Sequence, residues 1–146
     1  MLKKVKSMIN NNNLITYVKK LRSSKLRPTK QRLKICQFLF DRKKTFHFTV
    51  ETLNKRINKN GVAKVSLATI YNTVEAFCNA GYLKEILTSK NKSYYDTNIK
   101  SHHHFYDEGN KELTDIHYSQ IKLSKVPIPP KGKKIKNLEV VIRIQK

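Results

Sequence analysis

The stretch VSLATIYNTVEAFCNAGYLKEIL, residues 65–87, decides the fold because its hydrophobic period changes partway along. Its first part predicts an amphipathic helix, since apolar side chains recur at helical spacing: Leu67, Ile70, Val74, Phe77 and Cys78. Ser66 can cap the start of this helix, and Gly81 can adopt the left-handed conformation that ends it. After Gly81 the period falls to that of a strand, so YLKEIL and KSYYD (residues 92–96) indicate a hairpin with the turn TSKN.

Three more helices are predicted before this stretch. Residues 11–23 have apolar side chains at helical spacing, Thr29 can cap a second helix after Pro28, and Thr49 can cap a third that ends before Gly61. We expect the second and third helices to bury one face each: Leu33, Cys36, Leu39 and Phe40, then Val50, Leu53 and Ile57. Helices followed by a hairpin are typical of a winged helix-turn-helix module, whose last helix enters the DNA major groove.

Beyond residue 100 the pattern is that of strands. HHHFYD (residues 102–107) and KELTDI (residues 111–116) flank a plausible tight turn, and NLEVVIRIQK (residues 137–146) alternates in polarity. Such a sheet has an apolar face and little chain to cover it, so we expect a homodimer. The fold prediction is α+β: a winged helix-turn-helix domain over residues 1–97, then a small α/β dimerisation domain with a short antiparallel sheet over residues 98–146.

The charge points to a polyanionic partner. Residues 1–100 carry 22 Lys and Arg against 5 Asp and Glu, whereas residues 101–146 carry 9 against 5. A Lys- and Asn-rich composition inflates charge everywhere, but it does not explain this asymmetry. Double-stranded DNA is the partner that a basic helical module predicts.

Several classes of protein and site are not supported by the sequence. No stretch is apolar enough for a membrane helix, and MLKKVKSMINNNN turns polar before a signal-peptide core forms, so we expect a cytoplasmic protein without a membrane partner. Cys36 and Cys78 are the only cysteines and lie in apolar helical patterns. Without a C-x-x-C pair, a structural four-cysteine zinc site is not expected.

The run His102, His103 and His104 has two interpretations. On a strand, His102 and His104 face the same side and could bind one ion, while His103 points elsewhere; the run could equally be polar residues on a strand edge. A zinc hydrolase would need three ligands, an open position and a general base, and neither an H-E-x-x-H helix nor a nucleophile motif is present. We therefore predict that the protein is not an enzyme.

Four motifs together resemble ferric uptake regulators over nearly the whole chain: LRPTKQRLKI, VSLATIYNTVEAF, KSYYDTN and the histidine run. The chain is most similar to the alphaproteobacterial iron response regulator branch, which shares the helix start, a Glu-Gly turn after the histidines, and a PP-x-G stretch before a final VVxR strand. The resemblance implies a homodimeric transcription regulator of iron or haem homeostasis, whose affinity for AT-rich promoter DNA responds to haem or a divalent metal.

The resemblance also implies which residues bind DNA. Residues 66–80 would form the recognition helix, with Ser66 as its cap and Thr69, Tyr71 and Asn72 in its first turns. Tyr71 can contact thymine methyl groups and Asn72 can bind adenine, although the family usually has Arg at the position of Asn72. Lys and Arg side chains at the second helix and the hairpin tip are candidates for phosphate contacts: Lys30, Arg32, Lys90 and Lys92.

For the metal, the resemblance implies a sensing site of His47, Asp96, His102, His104 and Asp115. This nitrogen and oxygen donor set suits Fe(II), Mn(II) or Zn(II). A second histidine–carboxylate site of the family looks lost, because Lys122 and Leu138 stand near its expected positions. In the iron response regulator branch haem is implicated at the histidine run, so His102, His103 and His104 are candidate haem ligands.

Two further alternatives remain open at this point. Two aspartates, at positions 96 and 115, stand where iron-specific members often have glutamate, which resembles the peroxide-sensing relatives, in which iron-catalysed oxidation of a ligand histidine is the signal. A metal-dependent peroxide-sensing repressor is therefore the alternative function. A basic DNA-binding module whose histidines are purely structural is the other.

Overall fold

A computed structural model describes residues 11–61, 64–88 and 91–146 of the chain. It separates into two compact units, the first ending at Ile99 and the second beginning at Lys100. Within the described ranges, no helix is both long and apolar enough to cross a membrane.

The described residues of the first unit form four helices: α1 (Asn11–Ser23), α2 (Lys30–Phe40), α3 (Val50–Ile57) and α4 (Leu67–Asn79). The predicted caps are confirmed, since the hydroxyls of Thr29, Thr49 and Ser66 each accept a hydrogen bond from the backbone amide three residues later. Gly81 ends α4 with a φ of +84°, a conformation that glycine adopts without steric cost. Local sequence signals therefore set where α2, α3 and α4 begin and where α4 ends.

A three-stranded antiparallel sheet completes this unit, in the order β1 (His47–Phe48), β3 (Ser93–Asp96), β2 (Lys84–Leu87). The hairpin of β2 and β3 was predicted, and part of its turn, Ser89 and Lys90, lies outside the described residues. The short strand β1 was not predicted. Phe48 holds β1 in place, because its buried ring stacks on Tyr95 of β3 with centroids 5.5 Å apart.

The core of the first unit lies among its helices, and Phe48 of β1 packs into it as well. Most of the predicted helix faces are buried, including Leu53, Ile70, Val74 and Phe77, each 0% exposed. Leu67 was predicted to be buried but is 45% exposed. Its neighbours Ser66 and Ala68 are exposed as well, so the first turn of α4 extends past the core. Phe40 and Cys78 are only partly buried, whereas Ile35, which was not predicted, is fully buried.

The second unit is a three-stranded sheet in the order β5 (Glu112–His117), β4 (His102–Asp107), β6 (Val141–Ile144). The pair β4–β5 is antiparallel, as predicted, but β6 runs parallel to β4. The prediction of an antiparallel sheet is therefore wrong for this strand. Strand β5 returns the chain to the end of the sheet where β4 begins, and residues 121–140 (the crossover) lead from there to β6 on the other side of β4.

That crossover contains no α-helix, so the prediction of an α/β second domain is wrong in its helical part. The only helical element between residues 100 and 146 is a 3-10 turn at Tyr118–Gln120. Three prolines, Pro127, Pro129 and Pro130, lie in the crossover and oppose helix formation because each lacks a backbone donor and fixes φ.

The burial difference along α4 gives a test of this fold. Ile70→Ala removes a side chain that is 0% exposed, so the free energy of unfolding should fall by about 2–5 kcal/mol. Leu67→Ala, one turn earlier on the same helix, should change it by no more than about 0.5 kcal/mol, as is usual at the surface. Urea denaturation of both variants measures the difference, and equal losses would contradict the exposure of Leu67.

Candidate metal centre

The first unit contributes a histidine–aspartate pair across two strands. In the antiparallel register of β1 and β3, His47 lies opposite Asp96, and its Nε2 is 3.1 Å from Oδ2 of that carboxylate. Asp96 is 0% exposed, and its other oxygen, Oδ1, accepts a hydrogen bond of 2.7 Å from the backbone amide of Asn98. One carboxylate oxygen is thus held by the backbone while the other faces the imidazole.

The second unit brings three potential ligands together. His104 on β4 lies opposite Asp115 on β5, and His102 is two residues away on the same face of β4. Oδ1 of Asp115 is 3.3 Å from Nε2 of His102 and 3.4 Å from Nε2 of His104. The two imidazole centroids are 4.4 Å apart. The predicted H-x-H pair therefore converges on the predicted aspartate.

The Nδ1 atoms of His102 and His104 each contact an oxygen atom on the side away from Asp115. Nδ1 of His102 lies 2.6 Å from the carbonyl oxygen of Lys100, and Nδ1 of His104 lies 2.8 Å from Oε1 of Glu139. A carbonyl or a carboxylate accepts a proton donor, so both contacts favour the tautomer with hydrogen on Nδ1. That tautomer leaves the lone pair on Nε2, the atom directed at Asp115, where a metal ion would need it.

The remaining histidines of the second unit, His103 and His117, accept hydrogen bonds from backbone amides. Nδ1 of His103 accepts a hydrogen bond of 3.0 Å from the backbone amide of Val140, which attaches the start of β6 to β4. Nδ1 of His117 accepts a hydrogen bond of 3.3 Å from the amide of Ser119 and caps the 3-10 turn. A neutral His103 in this state carries its hydrogen on Nε2, so binding haem iron there would require the bond to Val140 to be given up.

The cysteines take no part in this chemistry. Burial raises the pKa of Cys36 to about 12, and burial with the charges of Glu85 and Glu75 raises the pKa of Cys78 to about 12. Both side chains are therefore neutral thiols at physiological pH, and a thiol in that form is neither a good metal ligand nor a nucleophile.

Five of the predicted DNA-binding residues lie at two open depressions of the first unit. One has a volume of about 400 Å³ and is lined by Thr29, Lys30, Gln31, Arg32 and Thr69. The other, of about 200 Å³, joins the exposed Tyr71 of α4 to Lys92 of the hairpin and to Glu51 of α3. The Tyr71 hydroxyl donates a hydrogen bond of 3.3 Å to Oε1 of Glu51.

The other predicted DNA contacts are Ser66, Asn72 and Lys90. Ser66 caps α4, Asn72 is exposed on the same helix, and Lys90 falls outside the described residues. Neither Glu51 nor Glu139 was predicted to belong to a site. No local pattern marks Glu51 or Glu139, because each reaches its partner through tertiary contacts.

The family model described as "Ferric uptake regulator family" matches residues 23–143. The chain belongs to this family. The family consists of metal-responsive transcription regulators, so membership agrees with the prediction of a regulator rather than an enzyme. Membership does not by itself identify the iron response regulator branch.

Curated relatives include peroxide-responsive repressors named PerR. The protein from Staphylococcus epidermidis is 30% identical over 101 residues, which are 69% of this chain and 65% of the relative. The one from Staphylococcus saprophyticus is 30% identical over 101 residues, 69% of this chain and 66% of the relative. In both cases the match spans slightly less than two thirds of the relative's length.

Solved structures of the family share the fold. The ferric uptake regulator from Pseudomonas aeruginosa with manganese has a TM-score of 0.66 at 22% identity, over 89% of this chain and 97% of that one. The regulator from Francisella tularensis with iron also has a TM-score of 0.66, at 16% identity, over 83% and 92%. At these identities the likeness establishes the α+β fold.

The convergence on Asp115 predicts a specific effect on metal binding. Asp115→Asn keeps the shape but removes the charge between the two Nε2 atoms, so Mn²⁺ affinity should fall by at least about tenfold. Glu112→Gln removes an acid from the same strand, opposite Asp107 and away from the histidines, and should leave the affinity unchanged. Competition with a fluorescent chelator measures both. Equal affinities for the two variants would contradict the assignment of Asp115.

Proposed function

We propose that the protein is a metal-responsive transcription regulator that binds double-stranded DNA as a homodimer. The observation that carries the proposal is the convergence of the Nε2 atoms of His102 and His104 on one oxygen of Asp115, in a chain of the ferric uptake regulator family. Solved relatives are described with manganese, with iron, or with three functional metal binding sites.

The proposed site takes ligands from both units. The first unit would supply His47 and Asp96, and the second His102, His104 and Asp115. Five nitrogen and oxygen donors suit Fe(II) or Mn(II), and four of them would suit Zn(II). Because the donors come from two units, occupation of this site would restrict the orientation of one unit to the other, and so the separation of two DNA-reading helices in a dimer.

The first unit would read DNA as a winged helix-turn-helix. The helix α4 would enter the major groove, where the exposed Tyr71 and Asn72 suit thymine and adenine edges in AT-rich promoter sites. Lys30, Arg32 and Thr69 share one depression and would contact phosphates. The hairpin lysines Lys90 and Lys92 would lie along the backbone. The excess of 22 basic over 5 acidic residues before residue 101 supports this assignment.

The second unit would form the dimer. Apolar side chains of its sheet and crossover are left exposed, among them Phe105, Leu138, Ile142 and Ile144 at 37–41%. A partner copy that covered them would remove this apolar surface from water. A regulator of this kind would act in the cytoplasm, where the DNA is.

Two effectors are proposed for the same site. The peroxide response is favoured by relatives that are themselves called peroxide-responsive repressors, and by aspartate at positions 96 and 115. Iron or haem homeostasis is favoured by the likeness of the histidine run and the final strand to iron response regulators. We propose the metal-dependent response as the common basis, with peroxide and haem as its alternative signals.

One experiment separates these signals. Fluorescence anisotropy of an AT-rich promoter duplex is followed while metal-free protein is titrated with Mn²⁺, Fe(II) or haem. His102→Gln/His104→Gln should abolish the response because both imidazoles are lost, whereas His117→Ala, which removes a histidine outside the cluster, should keep it. Circular dichroism verifies that both variants are folded.

The outcomes differ for each signal. A metal response lost in the double variant supports the five-residue site, and addition of one oxygen to a ligand histidine after brief peroxide exposure of the Fe(II) form supports the peroxide response. Release of DNA by haem alone supports the iron response regulator interpretation. A wild-type protein that responds to none of the three is a basic DNA-binding module, and the proposal is then wrong.

The reading helix makes a separate prediction. Asn72→Ala should cost about 1–3 kcal/mol of discrimination at one A·T pair. Lys30→Ala should weaken all sequences alike and reduce the salt slope by about 1. Asn79→Ala, at the far end of α4, is the matched control and should change neither. Binding to a panel of single-base variants at several salt concentrations measures these effects, and a uniform loss for Asn72→Ala would remove it from base recognition.

A further inference from the structure

The segment just before β6 touches two consecutive histidines of β4. The carboxylate Oε1 of Glu139 lies 2.8 Å from Nδ1 of His104, and the amide of Val140 donates to Nδ1 of His103 at 3.0 Å. The amide of His104 in turn donates to the carbonyl of Val140 at 3.1 Å. Two residues of the crossover therefore contact the histidine run through three separate contacts, immediately before the parallel pairing of β6 begins.

The Glu139 contact is made in a shielded environment. The His104 side chain is 0% exposed and that of Glu139 is 19% exposed, so water screens their interaction only weakly. The approach is off the line of an ideal hydrogen bond, so the contact is electrostatic rather than a neutral hydrogen bond. A negative charge at this place favours hydrogen on Nδ1 and makes Nε2 a stronger electron-pair donor.

We infer that Glu139 is a positioning residue for His104, and that it links occupation of the metal centre to the order of the last strand. This inference rests on the proposed metal site. Glu139 would not touch the metal; it would hold the imidazole of His104 in the tautomer and orientation that binding requires. By the same contact, a His104 engaged in binding would hold the crossover against β4, and with it the start of β6.

The contact between Glu139 and His104 would also affect the proposed dimer surface, because β6 contributes to that surface. Ile142 and Ile144 of β6 are among the exposed apolar residues that a partner copy would cover. Glu139 therefore connects His104 of the proposed metal site to the strand that carries part of the proposed dimer surface, and all of these residues belong to the second unit.

The first measurement is Mn²⁺ affinity, by chelator competition on the full chain. Glu139→Ala should weaken binding by about 10–100-fold, as loss of such a partner does at other sites. Glu139→Gln, which keeps the shape without the charge, should fall between Glu139→Ala and the wild type. Glu112→Gln controls for the loss of one acid from the same unit and should leave the affinity as in the wild type.

Two readouts distinguish positioning from a merely structural role. Nitrogen NMR of the imidazoles in the metal-free protein should show hydrogen on Nδ1 of His104 in the wild type and a mixture of tautomers in Glu139→Ala. Hydrogen exchange should show that Mn²⁺ protects the amides of residues 140–144 in the wild type but not in Glu139→Ala, while β4 and β5 are protected in both.

The possible results are separable. A wild type that binds none of Mn²⁺, Fe(II) and Zn(II) refutes the proposed metal site, and this inference falls with it. If the wild type binds Mn²⁺ and Glu139→Ala has the same Mn²⁺ affinity and the same His104 tautomer, this inference alone is overturned. Lower unfolding stability of Glu139→Ala without any change in affinity would make Glu139 structural, and would also overturn it.

Discussion

The alternation of side chains along β4 is the constraint on which the second unit depends. Because successive residues face opposite sides of a strand, His102 and His104 share one face and His103 takes the other. The antiparallel register with β5 places Asp115 opposite His104, while the parallel pairing with β6 places Val140 beside His103. A shift of the β4–β5 register by one residue would separate the histidine pair from Asp115, and a shift of the β4–β6 register would remove Val140 from His103.

In the first unit the main constraint is on α4, because one face of this helix fills the core while the opposite face stays exposed. The inner stripe of α4 is fully buried at Ile70, Val74 and Phe77, whereas Tyr71 and Asn72 stay exposed. The first turn of the helix extends past the core, so its capped end is accessible. The same extension explains why Leu67 is solvent-exposed although it lies on the apolar stripe of the helix.

The features that the sequence predicted well are those encoded by a few neighbouring residues. Caps at Thr29, Thr49 and Ser66, the stop at Gly81 and the hairpin that follows depend on local chemistry. The features that it missed depend on distant partners. The strand β1 is two residues long and exists because Phe48 stacks on Tyr95, nearly fifty positions away in the chain.

The same distinction applies to the site. The H-x-H alternation placed His102 and His104 on one side of a strand, but the choice of Asp115 came from the family resemblance. Glu139 was missed because nothing near it in the chain marks it, and its contact depends on the direction of β6. That direction could not be read from the alternation of NLEVVIRIQK, which is the same for a parallel and an antiparallel strand.

The raised pKa of both cysteines restricts how an oxidant could act on their thiols. A thiol with a pKa of about 12 is ionised in roughly one molecule in 10⁵ at neutral pH, and the thiolate is the form that reacts with hydroperoxides. Sulfenic acid formation and disulfide exchange are therefore slow at Cys36 and Cys78. Both thiols are thus poor targets for an oxidant, and the proposed peroxide response relies on the imidazoles of the metal centre instead.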